Sequence, residues 1–192
     1  MKEYIVFSLG ELLANEQVNI TQLKECLSNF NCEREKDLSD FLKSRAITYD
    51  NTNIGKTSLI IDSEAFKNGH FIVMAFYTIG LTAIDISNMS KSKKKKILGN
   101  VPGRENLNTY HAFLIGQLGR DDRYQCSDIP GEVILKECYN DIRKSQKITG
   151  GRLLLLECRP HMFEKFYGKH GFIKLQEEIS NGLLTLYKRI DF

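Results

Sequence analysis

The sequence has no long apolar run, no paired cysteines and no grouped histidines, and each absence excludes a class of protein. No stretch of about 20 apolar residues exists to span a bilayer, and the first apolar run is too short for a signal peptide. The five cysteines lack a CxxC pair and the four histidines form no HExxH pattern, which argues against a disulfide framework or a zinc site. We therefore expect a metal-free protein in the reducing cytoplasm, away from membranes.

Length and composition favour one ordinary globular domain over residues 1–192. The chain has 192 residues, of which 42% are hydrophobic and 27% are charged, as in a protein with a single filled core. The formal net charge of +3 is too small to indicate a nucleic-acid partner by itself.

The first third of the chain, residues 15–55, is predicted to be helical. Apolar residues recur there at three- and four-residue steps on one helix face: Ile20, Leu23, Leu27 and Phe30. Asn19 or Thr21 is expected to cap this helix, and Asp37 to cap the next one.

Strands dominate the remainder, with β-branched or apolar runs at 58–62, 71–84, 111–119, 152–158, 172–176 and 183–190. The first two predict an antiparallel hairpin, with a bend or bulge at Gly80, and Asn181-Gly182 predicts a closing hairpin. A helix at 132–146 between two strands predicts one parallel pair. The expected fold class is α/β (α+β), with a mixed, mostly antiparallel sheet flanked by helices.

Residues 88–110 are predicted to form a loop that carries a run of lysines: Lys91, Lys93, Lys94, Lys95 and Lys96. Such a run forms either a solvated surface or a patch for RNA phosphates. No aromatic residues interleave with it, which weakens the single-strand RNA interpretation.

Two segments carry possible chemistry. Residues 123–132 connect a strand to a helix, and unpaired amide groups at a helix start can bind an anion. Gly131 would allow a close approach of the backbone, although an ordinary turn has the same pattern. Tyr167, in the run FYGKHGF at 166–172, could donate a proton to a leaving group or simply pack in the core.

Together these segments resemble the GNAT superfamily of acyl-CoA-dependent N-acyltransferases over residues 59–190. The resemblance is carried by LIGQLGRD at 114–121, Gly131 with Ile134-Leu135, LLLLECRP at 153–160 and the FYxKxGF-like run. The N-terminal part is similar to a bacterial subgroup of this family, some of whose relatives are toxin-like acetyltransferases.

The resemblance implies a GNAT-like fold with N-terminal helices at 15–55 and a CoA-binding core at 59–190. The implied reaction moves an acetyl group from acetyl-CoA directly to an amine, on a small molecule, a protein or an aminoacyl-tRNA. Backbone around Leu118, Gly119 and Arg120 would hold the thioester carbonyl, and Tyr167 would protonate the departing thiolate. The implied diphosphate-binding residues are Arg123, Cys126, Ser127, Asp128, Ile129, Gly131 and Glu132.

Several points stay open in the sequence. Asp128 disfavours a diphosphate unless it points away or pairs with Arg123. Glu157 is the first candidate for a general base, or else a buried acid satisfied by Arg159 or a backbone donor. The alternative functions are a non-catalytic GNAT-fold module that binds a ligand or partner, and an RNA-binding protein. The oligomeric state is open, with a homodimer as one option.

Overall fold

The structure, a computed structural model, describes residues 1–176 and 181–191. Its strands are β1 (Tyr4–Ser8), β2 (Gly55–Asp62), β3 (Val73–Asp85), β4 (Thr109–Arg120), β5 (Leu153–Cys158), β6 (Ile173–Lys174) and β7 (Leu184–Arg189). Its helices are α1 (Leu9–Ala14), α2 (Ile20–Ser28), α3 (Lys36–Ser44), α4 (Ala46–Asn51), α5 (Ser63–Lys67), α6 (Lys91–Leu98), α7 (Gly131–Thr149) and α8 (Pro160–Lys165). Two 3₁₀ turns cover Arg104–Asn106 and Tyr167–His170.

The seven strands form one sheet in the order β1-β2-β3-β4-β5-β7-β6. The pairs β1–β2, β2–β3, β5–β7 and β6–β7 are antiparallel, whereas β4 and β5 are parallel. Helix α7 connects the parallel strands, as the sequence predicted. The predicted fold class, a mixed and mostly antiparallel sheet flanked by helices, is confirmed.

The chain groups into two compact units. The first unit comprises Met1–Gly80 and Gly116–Asp141, and the second comprises Leu81–Ile115 and Ile142–Phe192. Buried side chains of the first unit include Leu9, Leu27, Phe30, Phe41, Leu59 and Phe76. Those of the second include Ile86, Ile97, Leu98, Leu153 and Leu155. The expectation of a single domain stays a prediction.

Helix capping in the first unit confirms one of the sequence predictions and corrects another. The Asn19 side chain accepts hydrogen bonds from the N–H groups of Thr21 and Gln22 at 3.0 and 3.2 Å, so Asn19 is the cap of α2. Helix α3 begins after Glu35, which makes no side-chain cap bond. Asp37 therefore lies within the first turn and is not the cap. Its negative charge there interacts favourably with the positive end of the helix dipole.

The irregularity of the β2–β3 ladder lies away from Gly80. The register shifts between Ile60 and Ile61, so the predicted bulge at Gly80 is wrong. A Cβ atom at Gly80 would lie only 2.9 Å from the carbonyl oxygen of Ile54. The glycine is therefore explained by a close approach of two backbones within a regular pairing.

The lysine run forms helix α6, so the prediction of a loop over 88–110 is wrong. The Ser90 hydroxyl caps the helix by accepting from the N–H of Lys93 at 3.2 Å. Ile97 and Leu98 are buried, and so is Lys94, at 5% exposure. The long aliphatic stem of Lys94 extends the apolar face of α6. A lysine is counted as a charged surface residue in a sequence pattern, so this contribution was not predicted.

The closing strands are shorter than predicted. Strand β6 has two residues and pairs with β7 at Ile173↔Tyr187 and Lys174↔Leu186. Asn181 and Gly182 have φ values of 51° and 78°, the left-handed conformation that the predicted two-residue turn requires. Residues 177–180, which the closing-hairpin prediction also involves, lie outside the described residues.

Candidate functional site

The loop after β4, residues 121–130, is closed by the side chain of the last strand residue. Arg120 Nη1 donates to the carbonyl oxygen of Ile129 at 3.0 Å and contacts Cys126 Sγ at 3.1 Å. One guanidinium therefore joins the end of β4 to the middle and the end of the loop. Helix α7 starts at Gly131, so the loop leads directly into a helix N-terminus.

Asp121 anchors the start of the loop. Its carboxylate is fully buried and accepts from the N–H of Asn31 at 2.9 Å and from Arg123 Nε at 2.7 Å and Nη2 at 2.8 Å. The hydrogen bonds to Asp121 raise the pKa of Arg123. Arg123 thus pairs with Asp121, and the considered pairing of Arg123 with Asp128 is wrong.

Asp128 is used by the backbone of the loop itself. Its Oδ2 accepts from the N–H of Gln125 at 2.8 Å, while the N–H groups of Asp128 and Ile129 donate to the carbonyl oxygen of Gln125 at 3.1 Å each. The carboxylate thereby satisfies a nearby donor, as aspartate does in tight turns.

Three backbone donors of this segment are left available. Within the described part of the chain, the N–H groups of Cys126, Ser127 and Gly131 have no hydrogen-bond acceptor. Amide groups at a helix start, together with the helix dipole, favour an anion. The structure places all the predicted diphosphate-binding residues on this loop and the first turn of α7: Arg123, Cys126, Ser127, Asp128, Ile129, Gly131 and Glu132.

The predicted thioester-binding residues Leu118, Gly119 and Arg120 form the last part of β4. The pairing of β4 with β5 runs from Phe113↔Leu154 to Ile115↔Leu156, and these three residues come after its last pair. A Cβ at Gly119 would lie 2.8 Å from Leu38 Cδ1, so glycine here allows α3 to pack closely on the strand.

Asp62, at the end of β2, accepts several hydrogen bonds that the sequence did not predict. Its carboxylate accepts from Lys2 Nζ at 2.9 Å and from the Tyr124 hydroxyl at 3.1 Å. Burial alone would raise the pKa of Asp62, but the hydrogen bonds from Lys2, Ala65 N–H and Tyr124 hold that pKa below its ordinary value. The available signal in the sequence was an acid at the end of an apolar strand. Its two side-chain partners, Lys2 and Tyr124, lie about 60 residues away along the chain.

Tyr167 lies in the second unit, in a 3₁₀ turn, and is 7% exposed. Its ring packs edge-on against Phe166 and Phe172, with centroid separations of 5.0 and 5.5 Å. The ring is thus fixed by aromatic neighbours, as the packing interpretation expected. This packing equally suits a phenol that must be held in one orientation.

Glycines and a lysine define the turn around Tyr167. Gly171 has a φ of 80°, and a Cβ at Gly168 would lie 2.9 Å from the carbonyl oxygen of Phe163. Lys188 Nζ donates to the carbonyl oxygen of His170 at 2.7 Å and connects the turn to β7. The FYGKHGF pattern therefore has a geometric reason at both glycines.

Glu157 is exposed at the end of β5 and accepts from the Thr185 hydroxyl at 3.4 Å. The alternative of a buried acid is therefore wrong, and the role as a base stays a prediction. Cys158 is buried, and burial raises its pKa to about 11, which fits a core residue better than a nucleophile.

The described residues contain no helix that is both long and apolar enough to cross a membrane. Likewise, no three histidine, cysteine, aspartate or glutamate side chains among them are grouped to hold a metal ion.

Comparisons with known proteins give likenesses in structure alone. No protein-family model matches the sequence, and no curated protein matches it. A solved tyrosine-to-phenylalanine mutant of KacT superimposes with a TM-score of 0.69 at 18% identity, over 96% of this chain and 94% of that one. AtaTR bound with acetyl-CoA gives 0.69 at 18%, over 98% and 95%. AtaT complexed with acetyl-methionyl-tRNAfMet gives 0.66 at 19%, over 95% and 94%.

These likenesses extend over nearly the whole of each chain, so they concern the complete arrangement of helices and strands. The sequence identities lie below 20%, so these likenesses establish the fold alone. The activity depends on the residues of the site. The chain has the GNAT-like fold predicted from its sequence, and it shares this fold with KacT and with the AtaT toxin.

Proposed function

We propose that this protein is a GNAT-type N-acetyltransferase that transfers an acetyl group from acetyl-CoA to an amine. The observation that carries the proposal is the loop 121–130 at the start of α7. Its N–H groups at Cys126, Ser127 and Gly131 have no acceptor among the residues that the structure describes, and they suit a diphosphate. The shared fold supports it, because AtaTR was solved with acetyl-CoA.

The proposed reaction needs no covalent enzyme intermediate. The amine nitrogen attacks the thioester carbonyl carbon, the C–S bond breaks, and the CoA thiolate takes a proton as the new amide loses one. A backbone N–H around Leu118, Gly119 or Arg120 would stabilise the negative carbonyl oxygen, and Tyr167 would supply the proton to sulfur. Holding both reactants in place accounts for much of the rate. Glu157 remains the proposed base for an amine that arrives protonated.

For the acceptor we propose an aminoacyl-tRNA ahead of a small amine or a protein. AtaT was solved with acetyl-methionyl-tRNAfMet. The second unit of this chain has 16 lysines and arginines against 7 aspartates and glutamates, whereas the first unit has 11 against 17. A surplus of positive charge confined to one unit suits a phosphate-rich partner, although the chain as a whole is nearly neutral.

Acetyl-CoA binding separates the enzyme from the alternative, a non-catalytic module. At about 100 times its dissociation constant, acetyl-CoA should raise the free energy of unfolding by roughly 2.7 kcal/mol, measured as a shift in melting temperature. Acetylated product from a charged tRNA, detected by mass spectrometry, would then establish catalysis. No shift at millimolar acetyl-CoA would exclude the proposed enzyme, and a shift without product would favour the module.

A further inference from the structure

We propose that Asp62 is a positioning residue that fixes the turn of residues 124–128 in the shape that receives the diphosphate of acetyl-CoA, with Lys2 and Tyr124 as its two links to that turn. The inference rests on the proposed function, since the ligand of the turn is the one proposed above. Asp62 would not touch the ligand and would act only through its partners.

The two oxygens of Asp62 have separate partners. Oδ1 accepts from the N–H groups of Glu64 and Ala65 at 3.1 Å each and so caps the short helix α5. Oδ2 accepts from Lys2 Nζ at 2.9 Å and from the Tyr124 hydroxyl at 3.1 Å. Asp62 itself is 3% exposed, whereas the Lys2 side chain is 42% exposed. The carboxylate is therefore the buried partner of both charge-assisted bonds, and the Lys2 bond is partly open to water.

Both links end on the same turn, at its two ends. Tyr124 is the first residue of the turn and reaches Asp62 with its own side chain. Lys2 reaches Asp62 with its ammonium group and donates its backbone N–H to the carbonyl oxygen of Asp128 at 2.9 Å. Asp62 therefore holds the entry of the turn directly and the exit of the turn through Lys2.

The held turn is the part of the loop with available donors. The N–H groups of Cys126 and Ser127 lie between the two fixed ends, and the bond from Gln125 N–H to Asp128 Oδ2 closes the turn at 2.8 Å. Donors fixed before binding cost less ordering when the ligand arrives, which increases affinity without new contacts. The ligand-free turn should thus already have its bound shape.

The test uses Lys2→Met and Tyr124→Phe, which each remove one link and leave the cap of α5 intact, and Asp62→Asn, since asparagine also caps helices. Lys67→Met is the matched control, because it breaks an exposed ion pair between α5 and Glu3, the neighbour of Lys2, and leaves both links of Asp62 in place. Each single variant should weaken acetyl-CoA binding by about 3- to 10-fold, the size of effect expected when one typical intramolecular hydrogen bond is removed. The value of kcat at saturation should change less than twofold, and the control should match the wild type.

Acetyl-pantetheine, which has the thioester but lacks the diphosphate, is the second ligand. Its KM should be the same for the wild type and all variants, because only the diphosphate uses the turn. Equal weakening for both ligands would mean a general structural loss and would overturn the inference. Unchanged acetyl-CoA affinity in Tyr124→Phe and Lys2→Met would overturn it as well.

Hydrogen exchange of the ligand-free protein separates this inference from the proposed function. The amides of Gln125, Asp128 and Ile129 are bonded within the loop and report on its order. Their exchange should be at least several-fold faster in Lys2→Met and Tyr124→Phe than in the wild type or Lys67→Met. Unchanged hydrogen exchange in the two variants would refute the positioning role of Asp62 even if acetyl-CoA binds. A wild type that does not bind acetyl-CoA would instead refute the proposed enzyme function.

Discussion

Arg123 and the buried Asp121 form a two-point ion pair, with Nε 2.7 Å from Oδ1 and Nη2 2.8 Å from Oδ2. Asp121 also accepts from the backbone N–H groups of Asn31 and Arg123 at 2.9 Å each. The pair therefore joins the end of β4 to the segment that follows α2. The pair lies at the start of the proposed diphosphate loop and is neutral as a whole, so its first role is structural.

Replacement of Arg123 should destabilise the first unit. Arg123→Ala leaves a buried carboxylate with only its two backbone donors, and we expect a loss of about 1–3 kcal/mol in the free energy of unfolding. Urea denaturation measures it. The comparison variant Arg120→Ala removes a half-buried arginine at the end of β4 that bonds to Ile129 of the same loop. It tests whether the loss of stability in Arg123→Ala comes from leaving the buried Asp121 without its ion-pair partner. Equal losses in both variants would contradict the special role of Asp121.

Tyr167→Phe should remove turnover and leave the fold and the binding of acetyl-CoA intact. The ring contacts with Phe166 and Phe172 persist, while the proton donor for the thiolate is absent, so kcat should fall by about 100-fold or more. Product formation and the acetyl-CoA dissociation constant are measured side by side. Tyr187→Phe, at a buried tyrosine of β7, is the control. Full turnover in Tyr167→Phe would leave that residue a packing role.

Much of the architecture was accessible from the sequence, since buried strands such as Leu153–Cys158 and the long helix α7 have strong apolar patterns. The sequence analysis did not predict strand β1 or helix α6, for two different reasons. Strand β1 is only five residues long, and α6 hides its apolar face among lysines. The sequence located the loop between β4 and α7, but it did not reveal the side chains that hold the loop, and the binding role of the loop residues stays a prediction. Asp62, Lys2 and Asp121 act through contacts 60 to 90 residues apart, which no local pattern encodes.

Alkylation should distinguish Cys126 from the core cysteines. Cys126 is exposed on the loop, whereas Cys138 and Cys158 are buried, and burial raises the pKa of Cys158 to about 11. Iodoacetamide at about pH 8 should therefore modify Cys126 much faster than Cys138 or Cys158, as measured by peptide mass spectrometry. Saturating acetyl-CoA should slow the modification of Cys126 at least several-fold. Equal rates with and without acetyl-CoA would argue against a ligand on this loop.

Lys94 should matter for stability in a way that its neighbours do not. Its Nζ donates to the carbonyl oxygens of Leu107 at 2.6 Å and Glu105 at 3.3 Å, which holds the following segment against α6. Lys94→Met keeps the aliphatic stem but removes both bonds, and we expect a cost of about 1–3 kcal/mol in unfolding free energy. Lys93→Met, at an exposed position of the same helix, should stay within about 0.5 kcal/mol of the wild type. Similar values for the two variants would contradict the anchoring role.

The exposed lysines of α6 should contribute to tRNA affinity without contributing to stability. Lys91, Lys93, Lys95 and Lys96 are all exposed, and a variant with alanine at these four positions should unfold like the wild type. If they bind phosphates, log K for tRNA should depend less steeply on log salt in this variant, by about 0.7 to 0.9 for each lysine that neutralises a phosphate. The matched control has alanine at four exposed lysines of the acidic first unit: Lys24, Lys36, Lys43 and Lys67. Filter binding between roughly 50 and 300 mM salt gives the slope of log K against log salt for each protein. If the α6 variant has the same slope as the wild type, the tRNA binds elsewhere on the protein or is not the acceptor.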